Sequence, residues 1–353
     1  MRGSRLILPA SAEGGPKPPA LNPDAGEAEP LAEWTEFDFI VGEENIRGGR
    51  CQLQMRVGRR AGAPPYTVDW GDGDVRTQDL YECWHDFREP GTYRIRLDRE
   101  VWWWRLWECI CVTAEGNVFV TRPVIRPVAW SDYQTSCEGT YCGWSRMTGA
   151  PPKWGKALTV LNCCYQMTTG LEGPIPAWND AAVEVAAVYE GCTGLTGTVP
   201  AWGPAVAKVN QCYERCAGLA GEIPPWPEAC TDFDSTYAGC SGLTGSVPAW
   251  PEGAERIAET FSGCTGLTGT IPKWPAAATV CRECYRDCAG LAGAWTDDPA
   301  ELMPEERFRA ESMAGYFCED VVTGCSSDVR SLFYEKPWGG TKARPGVTKE
   351  VMT

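Results

Sequence analysis

One short phrase recurs seven times along this chain at an unbroken interval of 24 residues. A leucine, or in one copy a methionine, anchors each phrase: Met147, Leu171, Leu195, Leu219, Leu243, Leu267 and Leu291. An aromatic residue stands six positions before every anchor, and a glycine stands two positions after it. A period of about 20 to 30 residues without insertions indicates stacked repeats, because a single repeat of this size cannot bury its apolar face alone. The sequence therefore predicts a solenoid over residues 141–294, with parallel strands at the anchors.

The limb that leads from one strand to the next carries a second pattern. In one copy, apolar residues lie 11, 14 and 18 positions after the anchor, at Val206, Val209 and Tyr213. This spacing is close to that of residues on one face of an α-helix. We therefore expect a helical turn in this return limb.

Cysteine usage follows the same register. Among 19 cysteines, five stand three positions before an anchor: Cys192, Cys216, Cys240, Cys264 and Cys288. Most others in the array share columns with small or apolar residues, and a buried free cysteine behaves as a small hydrophobic side chain. We expect reduced core thiols, with stacked disulfides as the alternative. The run Cys281, Cys284 and Cys288 is not expected to bind a metal, because its members fall in three separate columns.

Charge and composition restrict the function. With 47 acidic against 32 basic residues, the formal net charge is −15, which argues against a nucleic-acid backbone or an anionic membrane as the main partner. No apolar run approaches the roughly 18 residues that cross a bilayer, and residues 6–8 are too short for a signal-peptide core. The single histidine, His85, leaves most hydrolase triads and zinc sites without a candidate. We expect no enzyme activity, cofactor, metal or membrane insertion.

Short alternating runs bounded by turn residues precede the repeats and predict β-strands. The expected strands are 36–41, 51–57, 66–70, 93–97 and 101–112. Two phrases in this region, Trp70-Gly-Asp-Gly73 and His85-Asp-Phe-Arg-Glu-Pro-Gly-Thr-Tyr93, resemble the PKD (polycystic-kidney-disease) domain family. That resemblance implies an immunoglobulin-like β-sandwich of the kind used as a spacer or adhesive module.

The same region offers two small candidate features. We expect His85 to be a structural hydrogen-bonding residue. Asp69, Asp72 and Asp74 are expected to cap a turn, with calcium binding as the alternative.

Four tryptophans crowd the run from Val101 to Trp107. Strand alternation places Trp103, Arg105 and Trp107 on one side. One interpretation is that the strand leaves the sandwich and caps the first repeat, with both faces buried. The other is that Trp103 and Trp107 belong to an aromatic platform for a sugar or a protein.

The repeat phrase Phe261-Ser-Gly-Cys-Thr-Gly-Leu-Thr-Gly-Thr-Ile-Pro272 resembles the BspA-like branch of the leucine-rich repeats, a superfold that serves mostly in binding. The expected fold class is therefore mainly β, a PKD-like sandwich followed by a leucine-rich-repeat solenoid with a 24-residue period and parallel strands. The expected segments are a flexible Pro/Ala/Gly-rich arm (1–34), the sandwich (35–112), a linker and N-terminal cap (113–140), the solenoid (141–294), and a C-terminal cap and tail (295–353).

Two sets of repeat residues are candidates for ligand binding. Small hydroxyl side chains occupy outward strand positions at Thr196, Thr198, Thr244, Ser246, Thr268 and Thr270. A tryptophan follows a proline in successive repeats, at Trp178, Trp202, Trp226, Trp250 and Trp274. The tryptophan column is either a buried corner of the repeat or an exposed aromatic ladder for sugars or protein.

A PKD-like module followed by BspA-like repeats resembles bacterial surface adhesins and virion-associated tail or fibre proteins of phages. We expect a non-enzymatic binding protein for a protein or glycan ligand, located in the virion as a phage tail, fibre or decoration protein. It would act as a homo-oligomer or as part of the particle. The abundant thiols and the absent signal-peptide core favour this setting over a bacterial cell-surface adhesin or an intracellular interaction scaffold.

Overall fold

The computed structural model describes residues 32–46, 48–59, 61–112, 118–273, 275, 277–280 and 283–294. These residues are mainly β and include one short 3-10 helix, Glu43–Asn45. In this part of the chain, no helix has the length and apolar character that a membrane span requires. The expected C-terminal cap and tail, and the expected arm before Ala32, lie outside the described residues.

Two antiparallel sheets occupy the region before the repeats. Their strands are β1 (Thr35–Val41), β2 (Cys51–Arg59), β3 (Tyr66–Asp69), β4 (Val75–Gln78), β5 (Glu82–Phe87), β6 (Gly91–Leu97), β7 (Val101–Val112), β8 (Val118–Val120) and β9 (Val124–Ala129). One sheet has the order β4-β3-β6-β1-β9 and the other the order β5-β2-β7-β8. The sheets pack face to face, since Phe37 on β1 stacks on Trp104 on β7 with ring centroids 4.9 Å apart.

The sheets extend further along the chain than the sequence indicated. All five expected strands are present, but β4, β5, β8 and β9 were not anticipated. β9 pairs with β1 inside residues 113–140, the segment interpreted as a linker and cap. β7 does not leave the sheets, because it pairs with β2 from Arg59 back to Gln52.

The two sheets continue into the repeats through backbone hydrogen bonds. The carbonyl of Trp102 accepts from the amides of Thr135 and Ser136 at 3.1 and 3.0 Å. On the other sheet, Ile125 of β9 forms a parallel bridge with the first anchor, Met147. β7 therefore contacts the first repeat along one edge, as expected, but the expected burial of both its faces is wrong, since Trp107 is 48% exposed.

Each later repeat adds one strand to a parallel sheet. The strands are β10 (Gly173–Pro174), β11 (Leu195–Thr198), β12 (Leu219–Glu222), β13 (Leu243–Ser246), β14 (Leu267–Ile271) and β15 (Leu291–Ala294). They lie side by side in chain order. A glycine precedes every anchor from Leu171 to Leu291, because a side chain there would collide with the preceding repeat; a Cβ at Gly194 would lie 2.6 Å from the carbonyl oxygen of Leu171. The 24-residue period is thus the distance along the chain from one strand to the next.

The return limb contains tight turns where we expected a helical turn. Its backbone reaches a left-handed conformation at non-glycine residues, with φ between 52° and 58°, at Cys163, Ala187, Gln211, Ser235, Glu259 and Glu283. Alternate amides bond to the next repeat, as from Leu161 to the carbonyl of Glu184 at 2.8 Å. A continuous helix would instead direct its amides to carbonyls within the same segment. Hydrogen bonding between repeats therefore replaces the helical pattern.

Aromatic columns fill the interior of the repeats. Rings stack at centroid distances of 5.4–6.0 Å and interplanar angles of 4–11° through Tyr141, Tyr165, Tyr189, Tyr213, Tyr237, Phe261 and Tyr285. Trp104 of β7 meets the first of these rings edge-on at 5.4 Å. Burial of each large ring contributes about 2–3 kcal/mol. One stacked core therefore runs from the antiparallel sheets into the last described repeat.

Candidate binding surfaces

The tryptophan column belongs to the interior. Trp178 and Trp226 are each 6% exposed and Trp250 is 8% exposed, while Trp202 is partly buried against the core. Trp178 stacks on Trp202 at 6.0 Å. The described members therefore fit the buried-corner interpretation, and we assign them no ligand contact. Trp274, the last candidate in the column, lies outside the described residues.

Threonine and serine side chains form an exposed set on the parallel sheet, which we call the hydroxyl rows: Thr196, Thr198, Thr244, Ser246, Thr268 and Thr270. Each lies one or three positions after a buried anchor, because successive side chains alternate across a strand. The glycines between them have φ of 82–88°. The resulting face is flat, with hydroxyls on three strands and with Ala220 and Glu222 on β12 between them. It offers hydrogen-bond donors and acceptors without a strong charge.

A second exposed surface lies on the outer side of sheet β5-β2-β7. We call it the aromatic–arginine face and define it by Tyr81, Trp84, Trp103, Trp107 and Arg56. Trp84 is 53% exposed, Tyr81 is 52% exposed and Trp107 is 48% exposed. The sequence indicated Trp103 and Trp107 but missed Tyr81 and Trp84. Alternation in the run Tyr81-Glu-Cys-Trp-His-Asp-Phe87 could have indicated an outward Trp84, since Cys83 and His85 beside it are buried.

A β-bulge and an arginine position these rings. Gln54 is opposite Glu108 while Met55 is opposite Leu106, so Trp107 is an extra residue in β7. The guanidinium carbon of Arg56 lies 3.3 Å from the centre of the Trp107 ring and 5.8 Å from that of Tyr81. Arg56 also pairs with Glu82 at 3.1 Å. Trp107 and Tyr81 are therefore held by cation–π contacts with an ion-paired arginine before any ligand arrives.

His85 holds a turn. Its Nε2 lies 2.7 Å from Asp72 Oδ2, and its ring stacks on Trp70 with centroids 5.0 Å apart. Burial raises the pKa of Asp72, but hydrogen bonds, from His85 first, outweigh burial and leave that pKa lowered. Asp69 accepts a hydrogen bond from the Gly71 amide at 2.9 Å, and Asp74 pairs with Arg76. The carboxylates cap the turn, as the sequence indicated, and they also form ion pairs, which it did not indicate.

Thiol chemistry in the array is governed by burial. Burial raises the pKa of Cys192 to about 12 and that of Cys230 to about 11. These thiols are protonated at neutral pH, and only a thiolate is a strong nucleophile or metal ligand. Among the described residues, no group of three or more His, Cys, Asp or Glu side chains is placed to hold a metal ion. Cys281 lies outside the described residues.

The geometry therefore provides two exposed candidate surfaces, the hydroxyl rows and the aromatic–arginine face. No protein-family model matches this chain, and no curated protein matches it.

Proposed function

We propose that this protein is a non-enzymatic binding protein in which a PKD-like sandwich carries a leucine-rich-repeat solenoid, and that the hydroxyl rows recognise a protein or a glycan. One observation carries the proposal. The exposed hydroxyls stand on a regular sheet whose other side is fully buried, with every described anchor from Leu171 to Leu291 at 0% exposure. Such a face is pre-organised, so a partner binds it without ordering loops first.

The composition of this face supports a flat partner with hydrogen-bonding groups. Thr196 and Thr198, on β11, present two hydroxyls from one strand. Serine and threonine hydroxyls both donate and accept, which suits a peptide backbone or a sugar rim. With little charge on the face, affinity would come from shape and hydrogen bonds over several repeats, as is usual for solenoid binding surfaces.

The proposed setting is a phage particle, in which the protein would be a tail, fibre or decoration component. The resemblance of the two modules to such proteins and the many buried thiols support this setting. A bacterial surface adhesin is the second candidate. Mass photometry of the purified protein separates the two candidates. A homotrimer or ring supports the proposal of a phage-particle component, and a strict monomer counts against that proposal.

The binding proposal is tested by adding charge to the face. The double variant Thr196→Lys/Thr244→Lys is compared with the control Ala201→Lys/Ala249→Lys, which adds the same charge at exposed loop positions in the same repeats. We expect oligomer formation, or retention of the protein on a glycan array, to fall at least tenfold in the first variant alone. A wild-type protein that neither associates nor binds the array, or two variants with equal effects, would refute the proposal.

A further inference from the structure

The aromatic–arginine face lies on a different sheet from the hydroxyl rows and is not explained by them. Tyr81, Trp84 and Trp107 are each about half exposed on one side of β5-β2-β7. A soluble protein rarely leaves several large rings together in water, and such a patch marks an interaction site. The question is what chemistry this patch fits.

The rings are fixed in place, which favours a ligand that stacks. Gly58 lies opposite Trp103 in the β2–β7 register. A Cβ at Gly58 would collide with Trp103 Nε1, so the indole lies across bare backbone. Tyr81 meets Trp103 edge-on at 6.1 Å, and Arg56 holds Tyr81 and Trp107 as described above. Trp103, Trp107 and Tyr81 are therefore held in place and have little conformational entropy left to lose on binding.

Two of the arginines on this side of the sheet are paired with carboxylates, and a third, Arg105, packs against the Trp107 ring with its guanidinium carbon 5.3 Å from the ring centre. Arg56 pairs with Glu82 at 3.1 Å, and Arg50 pairs with Asp86 at 2.8 Å. Gln52 donates to the same Asp86 carboxylate at 2.9 Å. A charged ligand such as a nucleic acid or an acidic peptide would have to displace these partners. With these two pairs in place, the aromatic rings favour an uncharged ligand over an anionic one.

Amide groups lie between the rings. Gln54 is opposite Trp84 in the β2–β5 register and donates to Gln52 at 2.8 Å. A glutamine amide supplies both donors and acceptors for hydroxyl groups. A neutral pyranose has a C–H face that stacks on an aromatic ring and a rim of hydroxyls that hydrogen-bonds to amides. The aromatic rings therefore fit the C–H face of a pyranose, and the glutamine amides fit its hydroxyl rim.

We propose that the aromatic–arginine face binds a neutral polysaccharide, with pyranose rings stacked on Trp84 and Trp107 and hydroxyls bonded to Gln54. Trp103 and Tyr81 border the platform, and Arg56 positions the rings. This site goes beyond the proposed function, because it requires neither the hydroxyl rows nor an assembly.

The test uses the full chain and insoluble polymers as probes. Microcrystalline cellulose, chitin beads and starch granules are the neutral probes, and alginate gel is the anionic one. We expect retention on at least one neutral polymer, reduced at least tenfold in Trp84→Ala/Trp107→Ala. The control Val75→Ala removes an exposed apolar side chain from β4 and should leave retention unchanged. Thr196→Lys/Thr244→Lys should also leave it unchanged, which separates this site from the proposed function.

Several outcomes would overturn the proposal. They are retention on no neutral polymer, retention on alginate alone, or equal retention of wild type and Trp84→Ala/Trp107→Ala. Self-association that this variant abolishes would assign the face to a second copy instead. Unfolding midpoints of all variants are measured alongside. Trp84→Phe/Trp107→Phe, which keeps two aromatic rings, should recover part of the retention if stacking is the cause.

Discussion

The thiol of Cys216 donates a hydrogen bond to the backbone carbonyl of Tyr189, with Sγ and O 3.0 Å apart. The same bond joins four other cysteines to the aromatic residue 27 positions earlier, at 3.0–3.1 Å: Cys192, Cys240, Cys264 and Cys288. The Tyr189 carbonyl also accepts the amide of Cys192 at 3.0 Å. Cysteine in this column therefore fills space and gives a buried carbonyl a second hydrogen bond, which alanine or valine could not do.

Replacing one of these thiols should lower stability. We expect Cys240→Ala to reduce the free energy of unfolding by about 1–2 kcal/mol, because it removes a buried hydrogen bond and leaves a small cavity. Cys142→Ala, at an exposed position, is the control and should change it by less than about 0.5 kcal/mol. Urea unfolding monitored by circular dichroism measures both. Equal midpoints for the two variants would show that the thiol ladder is not stabilising.

Alkylation should separate the cysteines by burial. Iodoacetamide without denaturant is expected to label Cys142 and to spare Cys192, Cys216, Cys240 and Cys264. Cys142 is exposed, but partial desolvation of its thiol by neighbouring atoms, with a contribution from Glu190, raises its pKa. Since the thiolate is the reactive form, its labelling rate should still increase above pH 9. Peptide mass spectrometry at several pH values provides the measurement. A rate that levels off below pH 8, or uniform labelling of all five, would contradict this prediction.

Phe261→Tyr should stabilise the protein. Two of the five tryptophans that stand 35 positions before a tyrosine donate from Nε1 to its hydroxyl, Trp130 at 3.2 Å and Trp250 at 3.1 Å. Trp226 stands 35 positions before Phe261, which has no hydroxyl, and the buried Trp226 Nε1 has no hydrogen-bond partner among the described residues. A hydroxyl added there should raise the free energy of unfolding by about 1 kcal/mol.

Tyr165→Phe is the matched opposite change to Phe261→Tyr, because it removes the acceptor of Trp130. It should lower stability by a similar amount, about 1 kcal/mol, as measured by urea unfolding. Destabilisation by Phe261→Tyr would show that the column has no room for the hydroxyl at this repeat.

Asp38 should make stability depend on pH. It is buried on β1 and accepts hydrogen bonds from Arg94 on β6 and from Arg126 on β9, the latter between Nε and Oδ2 at 2.9 Å. Burial raises the pKa of Asp38, but the two arginines outweigh burial and lower it below the ordinary 3.8. The stabilisation is therefore complete above the ordinary pKa and is lost as the pH falls through the lower folded value.

We expect Asp38→Asn to cost about 2–3 kcal/mol at pH 7, because a charged hydrogen-bond acceptor is removed. The difference from wild type should shrink below about pH 4, because the carboxylate of the unfolded state then takes up a proton while the folded one, with its lowered pKa, stays charged longer. Urea unfolding between pH 3 and pH 7 measures this difference, and Glu172→Gln at an exposed position is the control. A difference that stays constant over this range would mean that the ion pairs do not stabilise the fold.

The sequence by itself determined the register of the repeats, and with it which strand residues are buried and which are exposed. A fixed interval of 24 residues places every anchor at the same point of its repeat, so burial of the leucines and exposure of Thr196 and Thr198 follow from strand alternation alone. The strand run 101–112 was predicted with its observed bounds for the same reason. Patterns that depend only on neighbours along the chain are readable without a structure.

Only the tertiary structure shows which strand pairs with which, and which aromatic rings pack on one another. Periodicity could not show that β9 pairs with β1, or that the limb's amides bond to the next repeat, because those partners are distant in sequence or lie in another repeat. It also left open whether the tryptophan column or Trp84 faces solvent. The tryptophans of the column stack on one another and are covered, whereas Trp84 is 53% exposed in the described part of the chain. The burial of a residue depends on which other residues pack against it, and those contacts exist only in the folded chain.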